Sequence, residues 1–300
     1  MEPHLKVFST KLLSPIGKKE SLRYLHTSPE LAMKKLLVAG MEKIFQISAV
    51  YRNQERSSTH HPEFAMLEWY RHGVPFTKIM DDCENLLRAC LKVVAPSELF
   101  HWNGIGAQPW QAFDRLTVQD AFSRYTKINL LTTIDDPTNP TPDKLRQACE
   151  NIGIATAPDD SWEDIFFRIF LEKIEARLGH PRPTFLYDYP ICMAALARPK
   201  PENPRLAERF ELYVCGLELA NAFGELTDAN LQRERFLADQ RKRQALYQNT
   251  VPIDEDFLKA LQQGLPASAG IALGVDRLVM LATGANHIED VLWAPVDDQA

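Results

Sequence analysis

The chain has 300 residues, 45% of them apolar and 25% charged, and a net charge of −6. That is the composition of an ordinary globular chain, and its acidity argues against a broad electrostatic footprint for nucleic acid. No run of about 18 apolar residues predicts a membrane helix, and the first residues lack a secretory leader, so the expected location is the cytoplasm.

Residues 1–27 read as irregular and polar, with a turn at Pro15-Ile16-Gly17. Ser28-Pro29-Glu30 opens a helix: Ser28 suits the N-cap, Pro29 the first helical position, and Leu31, Met33, Leu36 and Leu37 an apolar side. Alternation puts Phe45, Ile47, Ala49 and Tyr51 on one face of a strand over 44–52. It puts Phe64, Met66, Glu68 and Tyr70 on one face of a second over 64–71. With the polar loop 54–62 between them, the two predict a long antiparallel hairpin. Ile79, Cys83, Leu86, Leu87, Cys90, Leu91 and Val94 form a helical stripe closed by Pro96.

The pattern is least informative from about 100 to 200. One amphipathic helix there carries Ile165, Phe166, Ile169, Phe170, Ile174 and Leu178, and a strand at 185–189 stops at Pro190. Three acids then recur every seven residues: Glu211, Glu218 and Glu225. The first two suit a divalent cation, the third a substrate ammonium. If Cys215-Gly216 is a hairpin turn, Glu218 lies opposite Tyr213 and diagonal to Glu211 on one face. A charge-rich, solvated helix follows at 227–246, Gly264 and Pro266 close the next helix, and 270–280 runs a strand into a helix through Gly274. The five cysteines show neither a CxxC pair nor metal-ligand spacing and read as buried thiols in a reducing compartment. Without repeats or a dividing linker, 1–300 is expected to be one α+β domain, an antiparallel sheet flanked by helices.

These segments resemble a known family. The hairpin with Arg52 before its loop and Phe64 beyond it resembles motif 2 of the class II aminoacyl-tRNA synthetases. Gly270-Ile-Ala-Leu-Gly274-Val-Asp276-Arg277 resembles motif 3. Thr27-Ser-Pro-Glu30, His60-His-Pro-Glu-Phe64-Ala-Met-Leu-Glu68-Trp-Tyr70 and Glu218-Leu-Ala-Asn221-Ala-Phe-Gly-Glu225 look lysyl-type. The pattern is most similar to paralogues of lysyl-tRNA synthetase that attach (R)-β-lysine to a lysine of translation elongation factor P. Ser28 and Ala272 stand where those ligases have Ser and Ala and the synthetase has Ala and Gly.

The resemblance implies ATP and Mg²⁺ as cofactors, and adenylation of a lysine-type carboxylate. It implies that Arg52 bridges carboxylate and α-phosphate, as a planar guanidinium can. Asn53, Gln54, Glu55, His60, Phe64, Glu211, Gly274 and Arg277 would line the ATP site, with Phe64 and Arg277 sandwiching adenine. Glu211 and Glu218 would hold Mg²⁺. Glu68, Tyr70 and Glu225 would grip the side-chain ammonium, Glu30 the other amino group and Asn221 the carboxylate, with Ser28 and Ala272 shaping the pocket. Gln54 stands where motif 2 usually has Glu, and His61 where it usually has Asn.

Motif 1, the family's dimer-forming segment, is expected upstream of Met1, and a homodimer is expected of the full-length form. No anticodon-binding domain is expected, which makes tRNA an unlikely partner. Two alternatives stay open at this stage: a minimal lysyl-tRNA synthetase, and a non-catalytic paralogue that binds ATP or an amino acid.

Overall fold

The computed structural model describes residues 5–13, 20–94 and 98–296. The expected turn at Pro15–Gly17 and the stop at Pro96 lie outside them. The front of the chain is more regular than its composition suggests: β1 (Ser9–Leu13) and β2 (Glu20–Tyr24) pair as an antiparallel ribbon. Every residue of β1 is exposed, so no buried alternation marks it as a strand. α1 (Glu30–Val38) starts one residue later than expected, with Pro29 at the N-cap. Ser28 therefore does not cap through the usual N2 or N3 amide, although its hydroxyl accepts from the Glu30 N–H at 3.3 Å.

β3 (Lys43–Tyr51) and β4 (Glu63–His72) form the expected hairpin, in register from Lys43↔Arg71 to Tyr51↔Glu63. α2 (Phe76–Val94) buries Ile79, Cys83, Leu87 and Leu91 from the predicted stripe. A small ribbon, β5 (Phe100–Trp102) and β6 (Ile105–Ala107), precedes β7 (Asp114–Thr117). Three helices follow: α3 (Val118–Thr126), α4 (Asp143–Asn151) and α5 (Trp162–Ile169). The amphipathic pattern on α5 runs on through one π turn and one 3₁₀ turn, and all six residues of its apolar side are buried.

β8 (Thr184–Tyr187) leads to a short ribbon of β9 (Pro199–Lys200) and β10 (Asn203–Ala207), then to β11 (Arg209–Val214) and β12 (Leu217–Gly224). α6 (Ala229–Tyr247), α7 (Glu255–Gly264), β13 (Ser268–Gly274) and α8 (Val275–Thr283) complete the order. α6 is not simply a solvated face. Gln232, Phe236 and Arg243 are buried, and Arg235 donates to the carbonyls of Ala194, Ala195 and Ala197. Of the cysteines, Cys83, Cys149 and Cys215 are buried, while Cys90 and Cys192 are half-buried; all are free thiols.

The main sheet has seven strands in the order β3-β4-β13-β12-β11-β8-β7. It is antiparallel except at one edge, where β7 runs parallel to β8 because α3, α4 and α5 lie between them as a crossover. One face packs on α2 and α8 through Ile79, Leu87, Leu212, Ile271, Leu273 and Leu281. The other face is walled at its two ends. α3, α4 and α5 cover β8 with their own core around Trp162 and Phe166, and α1, α6 and α7 close over Tyr70. The centre of that face, over β4, β13, β12 and β11, is where the polar residues of the four strands converge.

Candidate active site

Strand register alone assembles the site. Glu211 pairs with Asn221, Asn221 with Ala272, and Ala272 with Glu68. These four residues form one transverse row across β11, β12, β13 and β4, pointing to the same face. The next row couples Phe223, Gly270 and Tyr70. The Cys215-Gly216 turn forms as expected, with φ of 55° and 82°, and sets Tyr213 opposite Glu218. The register shifts beside it, so Leu212 meets Ala220 while Tyr213 meets Glu218. That bulge lets Glu218 and Asn221, three residues apart, share the face of Glu211.

Each acid in this row has a distinct environment. Glu211 is buried and accepts from the hydroxyls of Tyr189 (2.5 Å) and Tyr213 (2.6 Å) on Oε2, and from Arg209 (2.7 Å) on Oε1. Two donors fill Oε2, so one lone pair on Oε1 remains for a further ligand. Burial, then the charge of Glu211, pushes the Glu218 carboxyl up from the usual range. Two like-charged carboxylates in one enclosure, one with a lone pair left, fit a hard divalent cation that also takes oxygens from a bound polyphosphate. None of the predicted ligands needs to move to another strand for that.

At the far end of the row, Glu68 is fully buried and accepts from the Tyr70 hydroxyl at 2.8 Å. Burial, with Glu30 adding to it, raises its carboxyl to about 8. Glu225, also buried, is raised by burial, opposed by the ion pair it makes with Lys34 at 2.6 Å. Gly270 creates the room between them: a Cβ there would lie 2.2 Å from the Tyr70 ring and 2.7 Å from Glu225 Oε1. Glu30 sits on α1 at the pocket's edge, and Ser28 precedes it.

The expected nucleotide-binding residues gather around the β3–β4 loop. Arg52 lies with its guanidinium 5.2 Å from the centroid of the Phe64 ring, 3.8 Å from Glu55. Arg277 is aimed otherwise: it donates to the carbonyls of Thr59 (3.1 Å) and Glu218 (2.7 Å) and to His60 Nε2 (2.7 Å). His60 must accept there, so its proton is assigned to Nδ1, which donates to Ser57 Oγ at 2.8 Å. Burial, then Arg277 and Arg52, lowers this imidazole to about 4. Asn53 pairs across a bridge with Lys6, Gln54 is exposed in a left-handed conformation (φ 64°), and Gly274 forms the side-chain-free N-cap of α8.

Among the described residues, four buried polar atoms without a hydrogen-bond partner lie in this site: Arg52 Nε, Glu68 Oε1, Asn221 Oδ1 and Glu225 Oε1. Native folds leave few such groups, and where several face one cavity they are set for a ligand. Sequence reasoning missed four contributors. Lys34 was legible only as a position four residues after Glu30, Arg209 and Tyr213 only as neighbours of Glu211 with Tyr213 opposite Glu218, and Tyr189, 22 residues from Glu211, gave no signal. His61, whose effect was open, is structural: Nδ1 donates to Glu63 O at 2.6 Å, and Nε2 accepts from the Val296 N–H at 3.0 Å.

This arrangement of an antiparallel sheet, a motif 2 hairpin and a motif 3 strand–helix agrees with comparisons to known proteins. The profile of class II tRNA synthetases (D, K and N) matches residues 6–298. The chain belongs to the class II tRNA synthetase family. It is 40% identical over 295 residues to the elongation factor P–(R)-β-lysine ligase of Avibacterium paragallinarum, covering 98% of this chain and 84% of that protein. It is likewise 40% identical over 296 residues to the ligase of that name from Proteus mirabilis, covering 98% and 83%. The Haemophilus influenzae (strain PittGG) ligase is 39% identical over 295 residues, covering 98% and 84%.

Proposed function

We propose that the chain is an ATP-dependent ligase that activates (R)-β-lysine as an aminoacyl-adenylate and transfers the acyl group to a lysine side chain of elongation factor P. The observation that carries this reading is the transverse row Glu211–Asn221–Ala272–Glu68 with its unpartnered buried atoms, in a chain whose relatives bear that ligase name. The row runs from an acid pair suited to a metal–polyphosphate to an acid pocket suited to ammonium groups, and the carboxylate between them would meet Asn221.

In the first step a carboxylate oxygen attacks the α-phosphorus of ATP and pyrophosphate leaves. Arg52 bridges the two anions and stabilises the charge that develops between them. Phe64 offers a face for adenine, with Asn53, Gln54, Glu55, Gly274 and Arg277 around the nucleotide. Arg277 is held in orientation by His60, which stays neutral. Mg²⁺ held by Glu211 and Glu218 would neutralise phosphate charge when bound. Glu68, Tyr70 and Glu225 hold one ammonium and Glu30 the other, while Ser28 and Ala272 limit the pocket's shape. In the second step the acceptor amine attacks the acyl carbon and AMP leaves.

The acidic net charge fits a protein acceptor at least as well as tRNA. Among the described residues no helix is long and apolar enough to cross a membrane, and we take the site of action to be the cytoplasm. We further propose that residues 1–300 act as one catalytic unit within a homodimer.

ATP–pyrophosphate exchange tests the reading. Exchange should depend on (R)-β-lysine, exceed that with α-lysine, and fall at least a hundred-fold in Arg52→Ala. A preference for α-lysine followed by tRNA charging would favour a minimal synthetase instead, and exchange with neither isomer would favour a non-catalytic binder.

A further inference from the structure

The i, i+4 spacing of Glu30 and Lys34 on α1 brings both side chains to one helix face. Lys34 is nevertheless fully buried, where a lone ammonium is costly. Its Nζ lies 2.5 Å from Glu30 Oε1 and 2.6 Å from Glu225 Oε2, so it bridges two acids of the amino pocket. Burial pulls its ammonium down, but Glu225 and Glu30 outweigh that and hold it above its usual value. The groups facing it are Glu30 from α1, Glu68 and Tyr70 from β4, and Glu225 from the end of β12. Arg198 also acts on Glu225 but is paired to Glu208 at 2.6 Å.

A cation inside a pocket that must receive cations would compete with the ligand unless it has its own share of the charge. It does. Once a bound ammonium draws Glu68 into its ionised form, Glu30, Glu68 and Glu225 against Lys34 leave two negative charges, and Glu68 Oε1 and Glu225 Oε1 have no hydrogen-bond partner among the described residues. We propose that Lys34 is a positioning residue, a resident cation that bridges Glu30 and Glu225 and holds both carboxylates in place, so that the remaining charge matches an amino acid with two ammonium groups. This rests on the pocket receiving the amino-acid substrate. A single-ammonium amino acid of equal length would leave one carboxylate buried and unbalanced, which gives the pocket its preference for diamino acids.

The test is Lys34→Met, of similar volume, together with Lys34→Ala. In exchange assays at pH 7, Lys34→Met should raise KM for (R)-β-lysine at least ten-fold while kcat stays within about three-fold. Its KM deficit should narrow as pH rises towards 9, because Glu225 without Lys34 ionises only at higher pH. Ethylammonium should lower KM for Lys34→Ala and not for wild type. Wild-type KM in Lys34→Met, or a deficit equal at every pH that ethylammonium leaves untouched in Lys34→Ala, overturns the proposal. A variant that folds only with ethylammonium supports it, and one that the amine cannot refold counts against it.

Should wild type exchange neither isomer, the functional reading fails separately, and the role of Lys34 is read from stability. Lys34→Met should then lose thermal midpoint at pH 8 and little at pH 4.5. An equal loss at both overturns it.

Discussion

At the scale of the residue, the acids of the site differ in what opposes their burial. Glu211 has three donors, Glu225 has the Lys34 ion pair, and Glu68 has the Tyr70 hydroxyl with the Lys34 charge further off. The consequence for stability has a definite sign. Burial raises the Glu68 carboxyl to about 8 in the fold, against an ordinary 4.5 when unfolded. Between those values the folded state binds more protons, so the stability Glu68 contributes falls as pH rises through that window. Glu68→Gln keeps an acceptor for Tyr70 and removes the titration. In the absence of substrate it should stabilise the fold at pH 8 by on the order of a few kcal/mol, at roughly 1.4 per pKa unit, and so raise the thermal midpoint there while leaving it nearly unchanged at pH 4. Denaturation scans across pH check this, and the same variant should bind (R)-β-lysine poorly. A midpoint that drops at pH 8 would contradict it. His60 behaves in the opposite sense: lowered to about 4, it should add no inflection near pH 6.5 to the exchange rate.

At the scale of the element, the loop between β3 and β4 is fastened from both ends of the chain. Asp276, in the first turn of α8, accepts from the Ala65 N–H at 2.7 Å. His61 accepts from Val296, and Arg56 pairs with Glu289 at 2.7 Å. These bonds tie the β3–β4 hairpin to α8 and the segment after it, so motifs 2 and 3 are coupled mechanically. Asp276→Ala strands the Ala65 amide and should cost about 1–3 kcal/mol in urea denaturation, with KM for ATP raised more than KM for the amino acid. An unchanged urea midpoint would argue against that coupling. The hairpin register, the Cys215-Gly216 turn and the α5 stripe were all legible because they rest on local periodicity and turn chemistry: Glu218 opposite Tyr213 follows from counting residues. The bulge at Leu219 was not legible, since a register shift depends on neighbouring strands. Nor was the β1–β2 ribbon, whose residues bury almost nothing.

At the scale of the whole molecule, the sheet ends at β3, and that edge is unusually apolar. Phe45 is 75% and Ile47 61% exposed, beside a groove of about 640 Å³ lined by Leu67, Trp69 and Leu86. An exposed apolar edge strand invites pairing or coverage, which supports the proposed homodimer. Ile47→Lys should shift the protein towards monomer in sedimentation velocity while leaving its thermal midpoint within about 2 °C, as expected for an exposed site. A wild-type chain that sediments as monomer would remove the proposal. The hairpin alternation already assigned Phe45 and Ile47 to one face, but whether that face met solvent or a core was decided by where the sheet stops.

The same division runs through the chain. Residue order by itself determined the α+β pattern, the two hairpins and the strand–helix passage at Gly274, because each depends on spacing within a few residues or on motif chemistry. Tertiary structure alone decided that Lys34 lies between Glu30 and Glu225, that Arg209 and two tyrosines occupy Glu211, that Arg277 is tied to His60, and that β7 runs parallel at the edge. Those outcomes depend on which distant strands lie side by side, and burial and charge balance are properties of that assembly rather than of any one segment.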